Sequence, residues 1–258
     1  MTTTGKRLLL IFLLAIIWGH GRGVLAAEGK TYLQLGDDAI DCDDYKKAIT
    51  EYNKEIKLNP TDARAYYGRG HAYLCMGKED LATRDFDKAI EECSKAIKLN
   101  PKDAKAYYGR GNVYFLKGLD VNRAMPDFMK AIELNPRDAD AYYGLGNCFR
   151  LKENIEQALF NYTKAIELKP DYGAGYLTRG ETFTAKGDYG RGIKDLTTAI
   201  KFGKKNWLGG AYYARGQAYE NTGDHDQAIK DFKKAVELEP NNAVAKSSLE
   251  QELREKRK

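Results

Sequence analysis

Asp37 and Asp41 stand four residues apart, and 34 residues further on His71 and Cys75 repeat that spacing. On a helix, a step of four puts both side chains on one face. Carboxylate, imidazole and thiol from two adjacent helices would then offer the mixed donors that a divalent transition metal accepts. Against this, packed helix axes lie roughly 8–10 Å apart and the four residues match no ligand motif. The chain is therefore read with no metal and no cofactor. Beyond the N-terminal segment His71 and His225 are the histidines, and no nucleophile motif, phosphate loop or paired acid of workable geometry accompanies them. Catalysis is not expected.

A second set of residues points to recognition. Ala-Tyr-Tyr-Gly-Arg-Gly occurs at 65–70 and 106–111, Ala-Tyr-Tyr-Gly-Leu-Gly at 141–146 and Ala-Tyr-Tyr-Ala-Arg-Gly at 211–216. The second tyrosines, Tyr67, Tyr108, Tyr143 and Tyr213, form an aromatic row with hydroxyls, suited to an amphipathic partner. The competing use of these rings is packing between neighbouring helices.

The phrases mark a period of 34 residues, with units at 29–62, 63–103, 104–138, 139–172, 173–208 and 209–242. Counting from the start of each unit, position 4 is Tyr32, Tyr66, Tyr107, Tyr142, Tyr176 and Tyr212, and position 8 is always glycine. Position 20 is small (Ala48, Ala82, Ala124, Ala158, Gly192, Ala228), and position 24 is large (Tyr52, Phe86, Phe128, Tyr162, Leu196, Phe232). Small residues let helices approach and large ones at helical spacing fill the gap. Pro60, Pro101, Pro136, Pro170 and Pro240 close units, and Asp62, Asp103, Asp138 or Asn242 follows two residues later as a cap for the next helix. Each unit is thus expected to be a helical hairpin. The second unit carries seven extra residues in which the Ala-large-Ala pattern recurs (Ala82, Phe86, Ala89, Cys93, Ala96), which predicts a second helix longer by about two turns. Ala243, Val244, Leu249 and Leu253 suit a capping helix, with Glu252–Lys258 as a solvated tail.

Spacing, small-large alternation and closing proline together resemble the tetratricopeptide repeat (TPR) family, over nearly the whole chain beyond the N-terminal segment. The resemblance implies an all-α, right-handed superhelical solenoid of six repeats plus a cap. It also implies that the first helices line a concave groove for a peptide or helix of a partner protein. Departures are tyrosine for tryptophan at position 4, Glu55 for a small residue at position 27, and Gly203-Lys204-Lys205-Asn206 in place of proline in the fifth unit, where a looser joint is expected. Relatives that clamp a terminal carboxylate combine lysine, arginine and asparagine at positions 2, 5, 6 and 9. Here only Lys105, Asn112 and Asn147 fit, so that clamp is not carried over. Partner-binding residues are expected at Lys30, Arg64, Tyr67, His71, Lys105, Tyr108, Asn112, Tyr143, Asn147 and Tyr213. Position 2 is basic in three units (Lys30, Arg64, Lys105), whereas Asp140, Glu181 and Glu220 follow later, a polarity that would orient a bound segment. Two further roles are open beside simple binding, an assembly scaffold of an envelope complex and a metal-binding or substrate-delivering accessory.

One internal correlation concerns architecture. Arginine at position 7 (Arg69, Arg110, Arg179, Arg215) coincides with aspartate at position 23 (Asp85, Asp127, Asp195, Asp231), and leucine at position 7 does not. The pairs are expected to bridge the two helices of a hairpin.

The N-terminus supplies Lys6-Arg7, an apolar run from Leu8 to Trp18 and small residues at Ala26-Ala27, the parts of a secretory signal peptide over 1–26. Eleven apolar residues fall short of the roughly 20 that span a bilayer. An uncleaved anchor is the alternative, and an exported protein with no membrane span after cleavage is the expectation. Loss of Lys6, Arg7 and Arg22 takes the formal charge from +5 to +2, too little for a general attraction to nucleic acid. Four cysteines are too few for a disulfide scaffold, although Cys42 and Cys75 are placed to approach each other. Asn161-Tyr162-Thr163 is a formal glycosylation acceptor that falls in mid-helix.

Overall fold

The structure, a computed structural model, describes residues 30–203 and 205–256. The expected signal segment lies outside them. The described residues form an all-α helical repeat solenoid of thirteen helices, without a strand. Two compact bodies divide at Leu151 and Lys152. The first holds α1 (Tyr32–Asp41), α2 (Tyr45–Leu58), α3 (Ala63–Cys75), α4 (Glu79–Leu99), α5 (Ala104–Leu116), α6 (Val121–Leu134) and α7 (Ala139–Leu151). The second holds α8 (Ile155–Leu168), α9 (Gly173–Ala185), α10 (Tyr189–Phe202), α11 (Lys205–Thr222), α12 (His225–Leu238) and α13 (Ala243–Glu255). No helix among the described residues is long and apolar enough to cross a membrane.

Most helices start where the sequence offers a cap, whereas α4 after Lys78 and α9 after Tyr172 start without a side-chain capping bond. Asp62, Asp103 and Asn242 accept from the backbone amides of Arg64, Ala106 and Ala245, and Asp138 Oδ1 accepts from Asp140 and Ala141 at 3.1 and 3.0 Å. Thr31 and Gln34 close a capping box at α1. Within hairpins the chain reverses through a left-handed residue at position 15, which is Gly77, Gly187 or Gly223 in three repeats but Asp43 and Glu153 in two others.

Packing follows the small-large pattern. The fully buried Tyr52 ring sits where a Cβ on Gly36 would come within 2.5 Å and one on Gly68 within 2.4 Å. One large residue at position 24 therefore spaces its own first helix and the next repeat's. Phe128 does the same beneath Gly111 and Gly144. Helix α4 has 21 residues against 14 in α2 and α6, the two extra turns expected, and Ala82, Phe86, Ala89 and Cys93 form its buried stripe.

All four arginine-aspartate pairs form, each bidentate. Distances are 2.7 and 2.7 Å for Arg69–Asp85, 2.8 and 2.8 Å for Arg110–Asp127, 2.7 and 2.9 Å for Arg179–Asp195, and 2.7 and 2.8 Å for Arg215–Asp231. The remaining guanidinium nitrogen donates backwards, to Asn53, Ser94, Thr163 or Thr197 on the second helix of the preceding repeat, at 2.5 to 3.2 Å. Each guanidinium also covers the position-4 tyrosine one turn earlier, at 5.6 to 5.7 Å from the ring centre. One side chain thus joins two helices of its own repeat and one of its neighbour.

Two expectations need correction. Glu252 is not part of a solvated tail: α13 runs to Glu255 and Glu252 is 1% exposed, held by His225 on α12. On the same helix Ala245 is buried whereas Val244 is exposed, so Ala245 is the inward residue at its N-terminal end. Where the fifth repeat lacks proline, Gly203 is extended (φ −66°, ψ 138°) and α11 begins four residues before the repeat boundary. Trp207, 5% exposed, fills this joint against Gly173, where a Cβ would meet its ring at 2.8 Å.

Candidate partner-binding face

In the first body the first helices α1, α3, α5 and α7 lie side by side, backed by α2, α4 and α6, and the second body repeats this with α9 and α11. Positions 2, 5 and 9 share the outer side of the first helices by their three- and four-residue spacing.

The structure uses the expected site residues in different ways. Lys30 and Lys105 are exposed, and Lys30 reaches Asp38 at 2.7 Å. Arg64 is turned back on its own cap, with bonds of 2.9 and 2.7 Å to the two oxygens of Asp62. Tyr67, Asn112 and Tyr213 are half-buried. Tyr108 and Tyr143, 7% and 6% exposed, serve as packing residues and do not stand out as anchors. The Tyr108 ring lies 6.1 Å from Phe128 within its own repeat, as Tyr213 lies 5.6 Å from Phe232. Asn112, one turn after Tyr108, hydrogen-bonds its hydroxyl. Asn147 is 4% exposed. His71 is 6% exposed with Nε2 at 3.2 Å from Cys75 Sγ, and burial pushes its pKa down to about 4. It is a neutral core histidine at ordinary pH.

Asp37, Asp41, His71 and Cys75 do not gather around one point among the described residues. Asp37 accepts the Tyr52 hydroxyl at 2.8 Å, and His71 faces its own helix neighbour. Cys42 and Cys75 are free thiols. Asn161 is 3% exposed, its amide donating to the Gln157 carbonyl at 2.7 Å, which withdraws the formal glycosylation site into the core.

The unexpected feature of the face is Asp37. Burial raises its pKa to about 6, against the lowering effect of the Tyr52 hydroxyl, and Asp41 adds to the rise while Arg64 opposes it. The hydroxyls of Tyr52 and Tyr67 are in turn pushed up, first by burial and then by the Asp37 charge. Nearby Glu55, the departure noted at position 27, is 3% exposed, its Oε2 has no hydrogen-bond partner among the described residues, and burial raises its pKa too. The N-terminal end of the face therefore combines half-buried Asp37 and buried Glu55 with a half-buried tyrosine. Towards α5 and α7 lie exposed Lys105 and the half-buried acids Asp138 and Asp140.

Stacked hairpins that bury one side and present the other to solvent define a helical repeat module for protein-protein interaction. Family models described as tetratricopeptide repeat match residues 104–138, 139–172 and 210–242, and one described as TPR repeat matches 29–77 and 77–118. The chain belongs to the tetratricopeptide repeat family. The crystal structure of MamA is similar at 30% identity, covering 66% of this chain and 97% of that one with a TM-score of 0.56. A tetratricopeptide repeat protein from Parabacteroides merdae shares the fold at 20% identity, with 86% and 83% covered and a TM-score of 0.60. YrrB, described as a TPR protein with an unusual peptide-binding site, shares it at 23% identity, with 76% and 96% covered and a TM-score of 0.52. No curated protein is significantly similar to the chain.

Proposed function

We propose that this protein is a non-catalytic binding module that holds an extended segment or helix of a partner protein against the side formed by α1, α3, α5 and α7. The observation that carries this reading is the row of adjacent first helices in the first body, whose large apolar groups are committed to the core on one side. The other side presents half-buried Tyr67 and Asn112 beside exposed Lys105. Aromatic and amide groups of that kind anchor a partner at a modest cost in side-chain entropy.

The same reading includes export. A cleavable segment at 1–26 would deliver a mature chain starting near Ala27, and N-terminal sequencing of the protein recovered from the exported fraction tests this.

Binding is tested by affinity capture with Tyr67→Ala and Lys105→Glu, substitutions at a half-buried and an exposed residue. Loss of captured protein from the double variant, with an unchanged circular dichroism spectrum, is expected. Undiminished capture would place the partner elsewhere. Replacing Tyr108 or Tyr143 would be uninformative, because their burial couples binding to stability.

A further inference from the structure

The buried carboxylate of Glu252 is only half satisfied. Its Oε2 lies 2.8 Å from His225 Nδ1, while among the described residues Oε1 accepts no hydrogen bond, although the residue is 1% exposed. Burying a carboxylate costs several kcal/mol unless both oxygens find partners, and an orphaned oxygen in a packed site calls for an explanation. Glu255, three residues on, stands on the same face of α13, and His225 is the first residue of α12. One donor atom from each of His225, Glu252 and Glu255 lies within 4.8 Å of the others.

Acids outnumber the base here. Glu220 on α11 is close enough to Glu252 for its own pKa to be raised, by burial and then by the Glu252 charge. The neighbouring cation Lys256 is engaged with Asp226. Up to three carboxylates thus face one imidazole, and the missing component is positive charge with open coordination positions.

We propose that His225, Glu252 and Glu255 bind one Zn²⁺ ion, which fastens the capping helix α13 to the last hairpin. Imidazole nitrogen with carboxylate oxygens is a zinc donor set, at about 2.0–2.2 Å from the ion, whereas calcium and magnesium favour all-oxygen sets. Tetrahedral geometry at those bond lengths separates donors by roughly 3.3 Å. Replacing the proton shared by Nδ1 and Oε2 with the ion asks those two atoms to part by about half an ångström from 2.8 Å, and a Glu252 carboxylate that turns both oxygens towards the ion gives Oε1 the partner it lacks. His225 and Glu255 are exposed and free to make that adjustment, and solvent can supply a fourth ligand. A solenoid needs its last apolar side closed, and an ion binding only the docked cap would stabilise the closed end by mass action.

The test uses the full mature chain stripped with a chelator, then titrated with ZnCl₂ by calorimetry and followed by thermal unfolding. One equivalent of tight zinc and a rise in Tm are expected. His225→Gln and Glu255→Gln, both at exposed ligands, should each weaken zinc at least about tenfold and abolish the rise in Tm. Glu255→Gln should leave the zinc-free Tm unchanged. Co²⁺ should bind without a thiolate charge-transfer band, which separates this site from the cysteines. Absence of stoichiometric zinc, or full zinc affinity in the double variant, would overturn the proposal.

Discussion

Replacing Asp37 by Asn should make the protein more stable at neutral pH and remove the pH dependence that the raised carboxyl is expected to give the native protein. The carboxyl is raised from 3.8 to about 6, chiefly by burial. A raised acid binds its proton more tightly in the folded state, so its contribution to stability is fully present below pH 3.8 and is lost as pH rises through about 6. At 1.36 kcal/mol per pH unit the whole effect amounts to about 3 kcal/mol, and linkage gives about 1.4 kcal/mol of it at pH 5 and almost none at pH 7.5. Asn keeps the acceptor that Tyr52 uses at 2.8 Å while carrying no charge. Urea unfolding of both proteins at pH 5.0 and 7.5, read by circular dichroism, isolates the group because other titrations cancel in the difference. The advantage of Asp37→Asn at pH 7.5 should shrink by about 1.4 kcal/mol at pH 5. A difference that does not move with pH would show that water reaches the carboxylate, and the account of the buried N-terminal acids would fall with it.

Two other predictions concern the scaffold. Arg110→Ala leaves Asp127, 5% exposed, without its bidentate partner and should cost about 3 kcal/mol in unfolding free energy, with Arg110→Lys recovering only part. Recovery of full stability by lysine would refute the role given to the guanidinium fork. Gly190→Ala, in a helix with open space around the added methyl, should stabilise by about 0.5–1 kcal/mol. Gly144→Ala, whose Cβ would meet the fully buried Phe128 ring at 2.7 Å, should destabilise despite the same gain in helix propensity, and equal melting shifts for the two would exclude the spacer role of position 24.

Local pattern made the repeats legible, since period, caps, small-large alternation and the long α4 all depend on residues whose helical phase the sequence states directly. The arginine-aspartate joint was half legible. Its third bond runs to position 25 of the preceding repeat for Asn53, Thr163 and Thr197, and to Ser94, seven residues beyond that position in the lengthened second repeat, whereas position 25 before Leu145 is Met129. Comparing one repeat's end with the next repeat's start, and not each repeat with itself, would have found it. That relation has an energetic meaning. Hairpins in a solenoid are held only by neighbours, so an arginine that cannot satisfy all its donors within its own repeat raises the cost of separating two.

The face was less legible for a related reason. Tyr67, Tyr108 and Tyr143 share one position, yet Tyr67 is half-buried while the other two are in the core. Phase along a helix says which way a ring points, and only the packed neighbours decide how much of it is left for a partner. Around Tyr108 the closing elements are Phe128 and Ala141, from its own repeat and the next. Around Asp37 they include Tyr52, and the burial they bring outweighs the lowering effect of the Tyr52 hydroxyl and turns an acid of the first helix into a titrating group within the pH range of cells. A partner that brings a cation to this end would lower the Asp37 pKa and release a proton on binding. The proposed partner-binding side and the pH-sensitive side of the first body would then be one surface, and capture should strengthen as pH rises through about 6.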